Sequence, residues 1–399
     1  MKIVFVDTTN DASEVGGGHL FLPGLMHGLV RHGHDVHLVT KGVPHSLIVD
    51  RLKDSGVIVD QRPWGKGDLV EDTSRLFANW LDDESPDIYL VSGSFDIGWT
   101  VLPFLNPNIV TLMAAHNDSE TFYMPARHYA RFLTGAIGVS EEICKTYVES
   151  CGIDRRRVGW IPYGVTASEA APTEASKGPL KLIYVGRLDE EQKRVSDLIS
   201  TARRLTERGV DYQLAIVGDG DQMPVVKERL SAEIASKRIA LYGWVDGNEV
   251  INRLRESDIF LLTSNYEGFC ISLIEAMANG CCPVVTDIRS GNKQLVRDGE
   301  NGFVVPVGDV DAFIDKLKYF AENRDKLLEF RQRAWETGRQ YSLERMVESY
   351  ERCFERAIED ARTNPRTPDP DFPLMESCRS KYPLWLRRLK AKAKNLATN

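Results

Sequence analysis

The sequence of 399 residues predicts an α/β protein with two Rossmann-like domains, each built on a parallel β-sheet. Short β-rich runs alternate with longer amphipathic stretches, and this alternation starts again at Lys181. Strands separated by helices of about ten or more residues imply βαβ units with parallel strands and right-handed crossovers. A segment rich in Ala, Ser, Thr, Gly and Pro, 166–180, predicts a linker between the domains 1–165 and 181–362.

The elements of the first domain follow from hydrophobic periodicity. Apolar residues at helical spacing predict a helix over 20–31. Short apolar runs predict strands at 2–6, 34–40, 88–91 and 108–114.

The second domain repeats this pattern. Strands are predicted at 182–185, 214–217, 239–242, 259–263 and 283–286. Helices are predicted over 195–208, 310–323 and 343–362. The three prolines that follow the last helix prevent it from continuing.

The C-terminal tail, 363–399, has an unusual charge. Its last part, 379–399, contains seven Lys and Arg and no acid, together with apolar and aromatic residues such as Trp385. Such a segment suits the surface of an anionic membrane, where each base is worth about 1 kcal/mol. The open alternative is a solvated helix that crosses back and packs on the body of the protein.

Composition excludes several classes of protein. Fifty Lys and Arg against 58 Asp and Glu give a net charge of -8, which argues against a nucleic-acid-binding protein. The seven cysteines show no metal-site spacing, so we expect no metal site and a reducing compartment. No apolar run is long enough for a secretory signal or a membrane span. We therefore expect a cytoplasmic protein, at most peripheral at the inner face of the membrane.

Two cations follow the first strand of the second domain. Arg187 comes directly after Gly186, and Lys193 lies just before the next helix. Ligands of doubly wound sheets bind at the carboxyl ends of the strands, so we expect both cations to face a cleft between the domains. Arg and Lys together suit a diphosphate. The alternative is that both form surface ion pairs with nearby acids: Asp189, Glu190 and Glu191.

Two glutamates follow the strand predicted at 259–263. Ser272 and Glu275 have the spacing of a capping box, which predicts a helix start at Ser272 with backbone N–H groups aimed at the cleft. Glu275 could simply close that box. Glu267 has no such helical role and could accept hydrogen bonds from sugar hydroxyls. Gly280 is predicted to end the helix.

Glycines and one histidine are weaker candidates. Gly218 lies in a tight turn at the same sheet edge. In the first domain, Gly17 and Gly18 permit close backbone approach to a phosphate or sugar, although the pattern lacks the third glycine of a dinucleotide fingerprint. His116, at the end of a strand, could bind a ligand or could be a buried, satisfied histidine.

These motifs in this order resemble the retaining nucleotide-sugar glycosyltransferases of the GT-B fold, specifically glycosyltransferase family 4. The resemblance extends to about residue 360. Its most specific part is the segment from Glu267 through Glu275 to Val285, together with Gly186, Arg187 and Lys193 upstream.

The resemblance implies a hexosyltransferase-type enzyme whose acceptor binds 1–165 and whose UDP- or GDP-sugar donor binds 181–362. Arg187 and Lys193 would bind the donor diphosphate and replace a divalent metal, so no cofactor is expected. The ribose would be held by Glu275. Glu267 and the backbone of Phe269, Cys270 and Ile271 would contact the sugar, and Tyr242 and Trp244 would contact the base. Gly17 and Gly18 would approach the phosphate. His116 would lie beside the sugar and the acceptor.

Three residues depart from the family pattern. Cys270 stands where glycine is common, Tyr163 where asparagine is common, and Gln294 where glutamate is frequent. These changes bear on the identity of the sugar. The implied function is glycan, polysaccharide or glycolipid synthesis with a glycan, lipid-linked or small-molecule acceptor. A sugar-nucleotide epimerase or hydrolase, and a nucleotide-sugar-binding protein without turnover, remain open alternatives.

Overall fold

The structure is a computed structural model that describes residues 1–7, 18–41, 52–62, 69–92, 97–174, 176–289 and 291–375. For 7, 18–20, 41, 61 and 62 only the backbone is described. Gly17 and the basic segment 379–399 lie outside these residues.

The chain divides into two units. The first contains residues 1–7, His19–Pro162 and the described residues from Met346 onward. The second contains Gly18 and Tyr163–Arg345.

The first unit is built on a parallel sheet. Its strands are β1 (Lys2–Asp7), β2 (Asp35–Lys41), β3 (Ile58–Arg62), β4 (Ile88–Ser92), β5 (Val110–Ala115), β6 (Gly135–Gly138) and β7 (Val158–Trp160). Helices that precede Pro162 are α1 (Gly18–Arg31), α2 (Val70–Glu84), α3 (Ile97–Thr100), α4 (Glu120–Tyr129) and α5 (Glu141–Glu149). The described strands are ordered β3-β2-β1-β4-β5-β6-β7, and neighbouring strands are parallel.

The second unit carries another parallel sheet. Its strands are β8 (Leu180–Val185), β9 (Tyr212–Val217), β10 (Ile239–Gly243), β11 (Ile259–Leu262), β12 (Cys282–Thr286) and β13 (Phe303–Val305). Its helices are α6 (Val195–Glu207), α7 (Met223–Arg229), α8 (Ser231–Ala235), α9 (Gly247–Arg255), α10 (Ile271–Ala278), α11 (Asn292–Leu295), α12 (Val310–Glu322) and α13 (Arg324–Gly338). The strand order is β10-β9-β8-β11-β12-β13, again parallel, so the order reverses between β8 and β11. Ligands of such sheets bind at this reversal, outside the carboxyl ends of the strands.

Hydrophobic periodicity explains why α6 forms and where it packs. Val195, Leu198, Ile199, Ala202 and Leu205 recur at intervals of three and four residues and are all buried in the core of the second unit. A stripe of this spacing lies on one face of an α-helix. The predicted helix over 195–208 is confirmed, and the two-domain parallel-sheet architecture is confirmed with it.

The segment predicted as a linker, 166–180, belongs to the second unit, whose main stretch begins at Tyr163. Ser168 donates its backbone N–H to the Ala278 carbonyl at 3.0 Å and accepts a bond from the Trp335 indole at 3.2 Å. Ser176 donates to the Asp258 carboxylate at 2.6 Å. The small residues of this segment bring its backbone close to a packed surface. A low content of large apolar residues therefore does not indicate a free linker.

The last helix, α14 (Leu343–Thr363), corrects the predicted domain 181–362. From Met346 onward it belongs to the first unit. Val347 lies so close to Gly28 of α1 that a Cβ at Gly28 would come within 2.3 Å of it. Glu351 accepts hydrogen bonds from His34 at 2.8 Å and His32 at 3.0 Å. An amphipathic pattern predicts a helix but does not indicate which sheet its apolar face covers.

The chain after α14 stays on the first unit up to Met375. Phe372 packs edge-on against Phe132 with ring centroids 4.8 Å apart, and Leu374 is 1% exposed. The buried Arg366 guanidinium donates to the carbonyls of Asn106 and Ile109 at 2.8 and 2.6 Å. The predicted end of the helix before the prolines is confirmed.

Of the helices that the structure describes, none is both long enough and apolar enough to span a membrane.

Candidate active site

Arg187 lies in the loop that follows β8, at the reversal of strand order. The Tyr184 hydroxyl donates to the Arg187 carbonyl at 2.8 Å and holds the start of this loop. The Arg187 guanidinium donates to Asp189 at 2.9 Å and to the Gln192 side-chain oxygen at 3.1 Å, while remaining 47% exposed. Burial alone would raise the pKa of Asp189, but the hydrogen bond from Arg187 holds that pKa below its ordinary value. The ion pair with Asp189, one of the two sequence-based alternatives for Arg187, is therefore present.

Lys193 forms a buried ion pair with Glu267. The ammonium nitrogen lies 2.5 Å from Glu267 Oε1, and the two side chains are 12% and 8% exposed. Ser264 donates its hydroxyl to the same carboxylate oxygen at 2.7 Å. Burial alone would lower the pKa of Lys193, but the Glu267 carboxylate more than offsets this and holds the pKa above its ordinary value. Lys193 is therefore positively charged across the neutral pH range.

Gln192 joins the two cations into one network. Its side-chain oxygen accepts from Arg187, and its side-chain nitrogen donates to Glu267 Oε2 at 3.3 Å. The structure thus brings Arg187, Lys193 and Glu267 together, as the sequence predicted for the two cations. Neither the Lys193–Glu267 pair nor Gln192 was found from the sequence, because a glutamine next to a lysine carries no distinguishing pattern.

Main-chain contacts fix the loop after β8 to the loop after β11. Thr263 donates its hydroxyl to the Lys193 carbonyl at 2.7 Å, and the Asn265 N–H donates to the Gln192 carbonyl at 2.7 Å. Asn265 also donates its side-chain amide to the Glu191 carbonyl at 2.8 Å. The cations and the acid therefore sit on a tied pair of loops, which favours a preorganised site.

The first turn of α10 presents free backbone donors beside this network. The helix begins at Ile271, and Cys270 is its N-cap, with no side-chain capping bond. The predicted capping box is therefore wrong, since Ser272 already lies within the helix. In the described part of the chain, the N–H groups of Cys270, Ile271 and Ser272 have no acceptor. Such groups favour anions.

Glu275 lies one turn further along α10. Its carboxylate makes no hydrogen bond or ion pair with any residue that the structure describes. Burial raises the pKa of Glu275 to about 7. The helix ends as predicted at Gly280, which has φ +83° and donates to the Met277 carbonyl. Glu275 does not close a capping box, so a capping role does not explain a glutamate at this position.

The residues between the two glutamates are packed tightly. Phe269 is 4% exposed and lies between the rings of Tyr163 and Tyr341, at centroid distances of 6.4 and 5.8 Å. The departure at Tyr163 thus supports the Phe269 side chain. Burial, and next the Glu267 charge, raise the pKa of Cys270 to about 11, so its thiol stays protonated. Ile271 is also buried.

The other predicted residues of this unit lie at neighbouring strand ends. Gly218 follows β9 with φ +133°, and a Cβ there would lie 2.0 Å from the Gly186 carbonyl oxygen. Trp244, just after β10, is 55% exposed. The Arg253 guanidinium lies 4.3 Å from the centre of the Tyr242 ring. Gly218 therefore allows close packing of the two loops, and the two aromatic residues flank the end of β10.

His116 lies in the first unit, after β5. Its Nε2 is 2.8 Å from the Ser92 hydroxyl, at the end of β4, and its ring is 4.6 Å from that of Phe21. Gly18 begins α1, and Gly17 lies outside the described residues. His116 is therefore at the carboxyl end of the sheet, as predicted, and is only partly buried.

Within the described ranges, no group of three or more His, Cys, Asp or Glu is arranged to hold a metal ion.

Two family models match the sequence along most of its length. Residues 15–169 match Glycosyltransferase Family 4, and residues 166–340 match Glycosyl transferases group 1.

Characterised relatives and solved structures are similar to the chain. The chain is 29% identical over 254 residues to the lipopolysaccharide 1,6-galactosyltransferase of Salmonella typhimurium, covering 60% of this chain and 67% of that protein. It is 31% identical over 321 residues to the phosphatidyl-myo-inositol mannosyltransferase of Mycobacterium tuberculosis, covering 73% and 80%. The structure of Anabaena HepE in complex with UDP and glucose superposes with a TM-score of 0.72 at 17% identity, over 89% of this chain and all of that one. This last likeness concerns the fold.

Proposed function

Because the chain belongs to the family 4 glycosyltransferases of the GT-B fold, we propose that it moves a sugar from a nucleoside diphosphate to an acceptor hydroxyl and retains the anomeric configuration. The observation that carries the proposal is the convergence of Arg187, the Lys193–Glu267 pair and the free N–H groups of α10. The two cations and these N–H groups suit the charge of a departing diphosphate.

The proposed chemistry needs stabilisation of a leaving group above all. The bond between the anomeric carbon and the phosphate oxygen breaks, and a bond to the acceptor oxygen forms on the same face. The acceptor proton passes to the departing phosphate oxygen. Arg187, Lys193 and the first N–H groups of α10 stabilise the negative charge that develops on the diphosphate, which is often the largest catalytic contribution.

Side chains around the cations are proposed to hold the rest of the donor. Glu267 accepts hydrogen bonds from the transferred sugar, together with the backbone at Phe269, Cys270 and Ile271. Glu275 accepts hydrogen bonds from the ribose hydroxyls, which would give its carboxylate the donors that no described residue provides. Tyr242 and Trp244 contact the base, and Gly218 lets the loops approach each other. Gly17 and Gly18 are proposed to approach the phosphate, and His116 is proposed to lie beside the sugar and the acceptor.

We also propose that the reaction needs no divalent metal, because Arg187 and Lys193 would take the role of the metal at the diphosphate. The donor is a UDP- or GDP-sugar; the neighbouring HepE structure contains UDP and glucose, which favours UDP. The two relatives named above carry names that specify a lipopolysaccharide and a phosphatidyl-inositol. We therefore propose a glycolipid or another lipid-linked glycan as the acceptor.

The basic segment 379–399 is proposed to contact an anionic membrane that carries such an acceptor. Flotation with phosphatidylglycerol vesicles, with and without this segment, tests the contact. Equal flotation of both proteins would contradict a membrane contact of this segment.

The enzymatic proposal is tested by product analysis with a panel of UDP- and GDP-sugars and lipid-linked acceptors. We expect Arg187→Ala to lower turnover about a hundredfold, the typical loss for one preorganised charge-stabilising donor. Arg203→Ala, at an exposed position on α6, is the matched control and should behave as wild type. Near-normal turnover in Arg187→Ala would contradict the mechanism, and donor consumption without acceptor would favour an epimerase or a hydrolase.

A further inference from the structure

Gln192 lies between a cation and an anion of the proposed site. Its side-chain oxygen accepts from the Arg187 guanidinium at 3.1 Å. Its side-chain nitrogen donates to Glu267 Oε2 at 3.3 Å and to the Tyr266 carbonyl at 3.2 Å. An amide donates on one side and accepts on the other, so it satisfies both neighbours at once without carrying a charge.

The surroundings determine the orientation of this amide. Arg187 offers only donors, whereas the Glu267 carboxylate and the Tyr266 carbonyl offer only acceptors, so a flipped amide would oppose like groups on both sides. The backbone of Gln192 is fixed as well. Its N–H donates to Asp189 at 2.8 Å, and its carbonyl accepts from Asn265 at 2.7 Å. The side chain is therefore held from a rigid position in the loop.

The physical consequence concerns charge. Glu267 already neutralises Lys193 through Oε1. A second cation that paired with Oε2 would no longer be able to bind a diphosphate. The neutral Gln192 amide occupies Oε2 and gives Arg187 an acceptor that carries no charge. Asp189 accepts from Arg187 Nε at 2.9 Å, so this carboxylate and the Gln192 amide together hold the guanidinium in a defined position.

We propose that Gln192 is a positioning residue, which orients Arg187 toward the donor diphosphate and Glu267 toward the donor sugar and so couples the two ends of the donor site. This proposal rests on the proposed function, because it assigns Gln192 a role in the same site. Gln192 itself touches no reacting atom.

The first experiment replaces the amide without changing its size. Calorimetric titrations with UDP and GDP are compared for wild type, Gln192→Met and Gln192→Glu. Gln192→Met loses the hydrogen bonds to the charged groups of Arg187 and Glu267, so we expect it to bind nucleotides about tenfold more weakly. Gln192→Glu should bind more weakly still, because its carboxylate competes for Arg187 and faces Glu267. Gln213→Met, at an exposed position on β9, is the matched control and should bind as wild type.

The order of the variants separates positioning from packing. Glutamate matches glutamine in shape, so a residue that merely fills space would tolerate it at least as well as methionine. The double variant Arg187→Ala/Gln192→Met provides a second readout. If Gln192 acts on the diphosphate through Arg187, the methionine substitution should have little further effect on nucleotide affinity once Arg187 is absent, because coupled residues are not additive.

The outcomes distinguish this proposal from the proposed function. If wild type binds UDP or GDP and Arg187→Ala weakens that binding, the site stands. Unchanged affinity in Gln192→Met, tighter binding in Gln192→Glu than in Gln192→Met, or full additivity with Arg187→Ala would then overturn the role of Gln192 alone. If Arg187→Ala binds as wild type, both proposals fail.

Discussion

Glu275 carries a cost to stability, because its carboxylate is buried without a donor among the described residues. It lies on α10, one turn from the free N–H groups, and no described residue donates to its carboxylate. Burial raises its pKa to about 7, so the folded protein disfavours its charged form. The penalty is absent below the ordinary pKa of a glutamate and grows as the pH rises toward 7. Ribose hydroxyls would relieve it by donating to the carboxylate.

This geometry predicts a pH-dependent affinity. In the proposed site, ribose hydroxyls would stabilise the ionised carboxylate, so a nucleotide that binds below pH 7 would expel a proton from Glu275. Titrations of UDP and GDP should therefore weaken about tenfold between pH 8 and pH 6 beyond the contribution of the phosphate itself. Glu275→Gln should lose this extra dependence, while Glu228→Gln, at an exposed position on α7, should retain it. Identical pH profiles in wild type and Glu275→Gln would remove Glu275 from the binding site.

At the residue scale, the sequence indicated where charged side chains lie but not which residues they pair with. The positions of Arg187 and Lys193 after a strand predicted their convergence. The counter-ion of Lys193 is 74 residues away in sequence, and no local pattern indicates it. The error at Ser272 has a similar origin, because a capping box and an ordinary first turn of a helix share the same residue types.

Among the structural elements, the turn after β9 places the strictest demand on one residue. Gly218 combines φ +133° with contact to the Gly186 carbonyl oxygen, so any side chain meets both backbone strain and a backbone clash. We expect Gly218→Ala to lower the free energy of unfolding by about 2 kcal/mol or more. Gly247→Ala is the matched control, because nothing lies within 4 Å of a Cβ there and its φ is unrestrictive.

Urea unfolding of both glycine variants tests this prediction. Gly247→Ala should be neutral or slightly stabilising, since alanine favours a helix. Equal stability of the two variants would show that the turn can rearrange without cost.

The predicted elements were correct where the pattern was long or strongly apolar. α6 and α12 were predicted almost residue by residue, because each has a stripe repeated over several turns. The strands β3, β6, β7 and β13 were not predicted. The last three have three or four residues each, too few for alternation to be distinguished from a loop, and two of these contain glycine.

The whole molecule is two units, and α14 belongs with the first for most of its length. Phe354 of α14 is completely buried, and Phe313 of α12 is almost equally buried in the second unit. We expect Phe354→Ala to destabilise the first unit by about 4 kcal/mol and to leave nucleotide affinity unchanged. Phe313→Ala should destabilise the second unit instead.

Hydrogen exchange followed by mass spectrometry assigns each loss of stability to one of the two units. Faster exchange in β1 and β4 for Phe354→Ala, and in β8 and β9 for Phe313→Ala, is the expected result. Faster exchange in β8 and β9 for Phe354→Ala would contradict the assignment of α14. The sequence placed this helix in the second domain because it follows that domain directly, whereas its partner surface is set by residues more than 300 positions earlier.

The most direct test of the diphosphate site is a comparison of nucleoside diphosphates with nucleosides. Calorimetric titration of wild type with UDP and uridine, and with GDP and guanosine, isolates the contribution of the phosphates. The Arg187–Lys193 site predicts that one diphosphate binds at least about a hundredfold more tightly than its nucleoside, since each charge-assisted contact is worth about tenfold or more. Lys193→Gln, which keeps a donor toward Glu267, should lose most of this preference, and Lys181→Met, at an exposed position on β8, should keep it. An equal preference in wild type and Lys193→Gln would contradict the site.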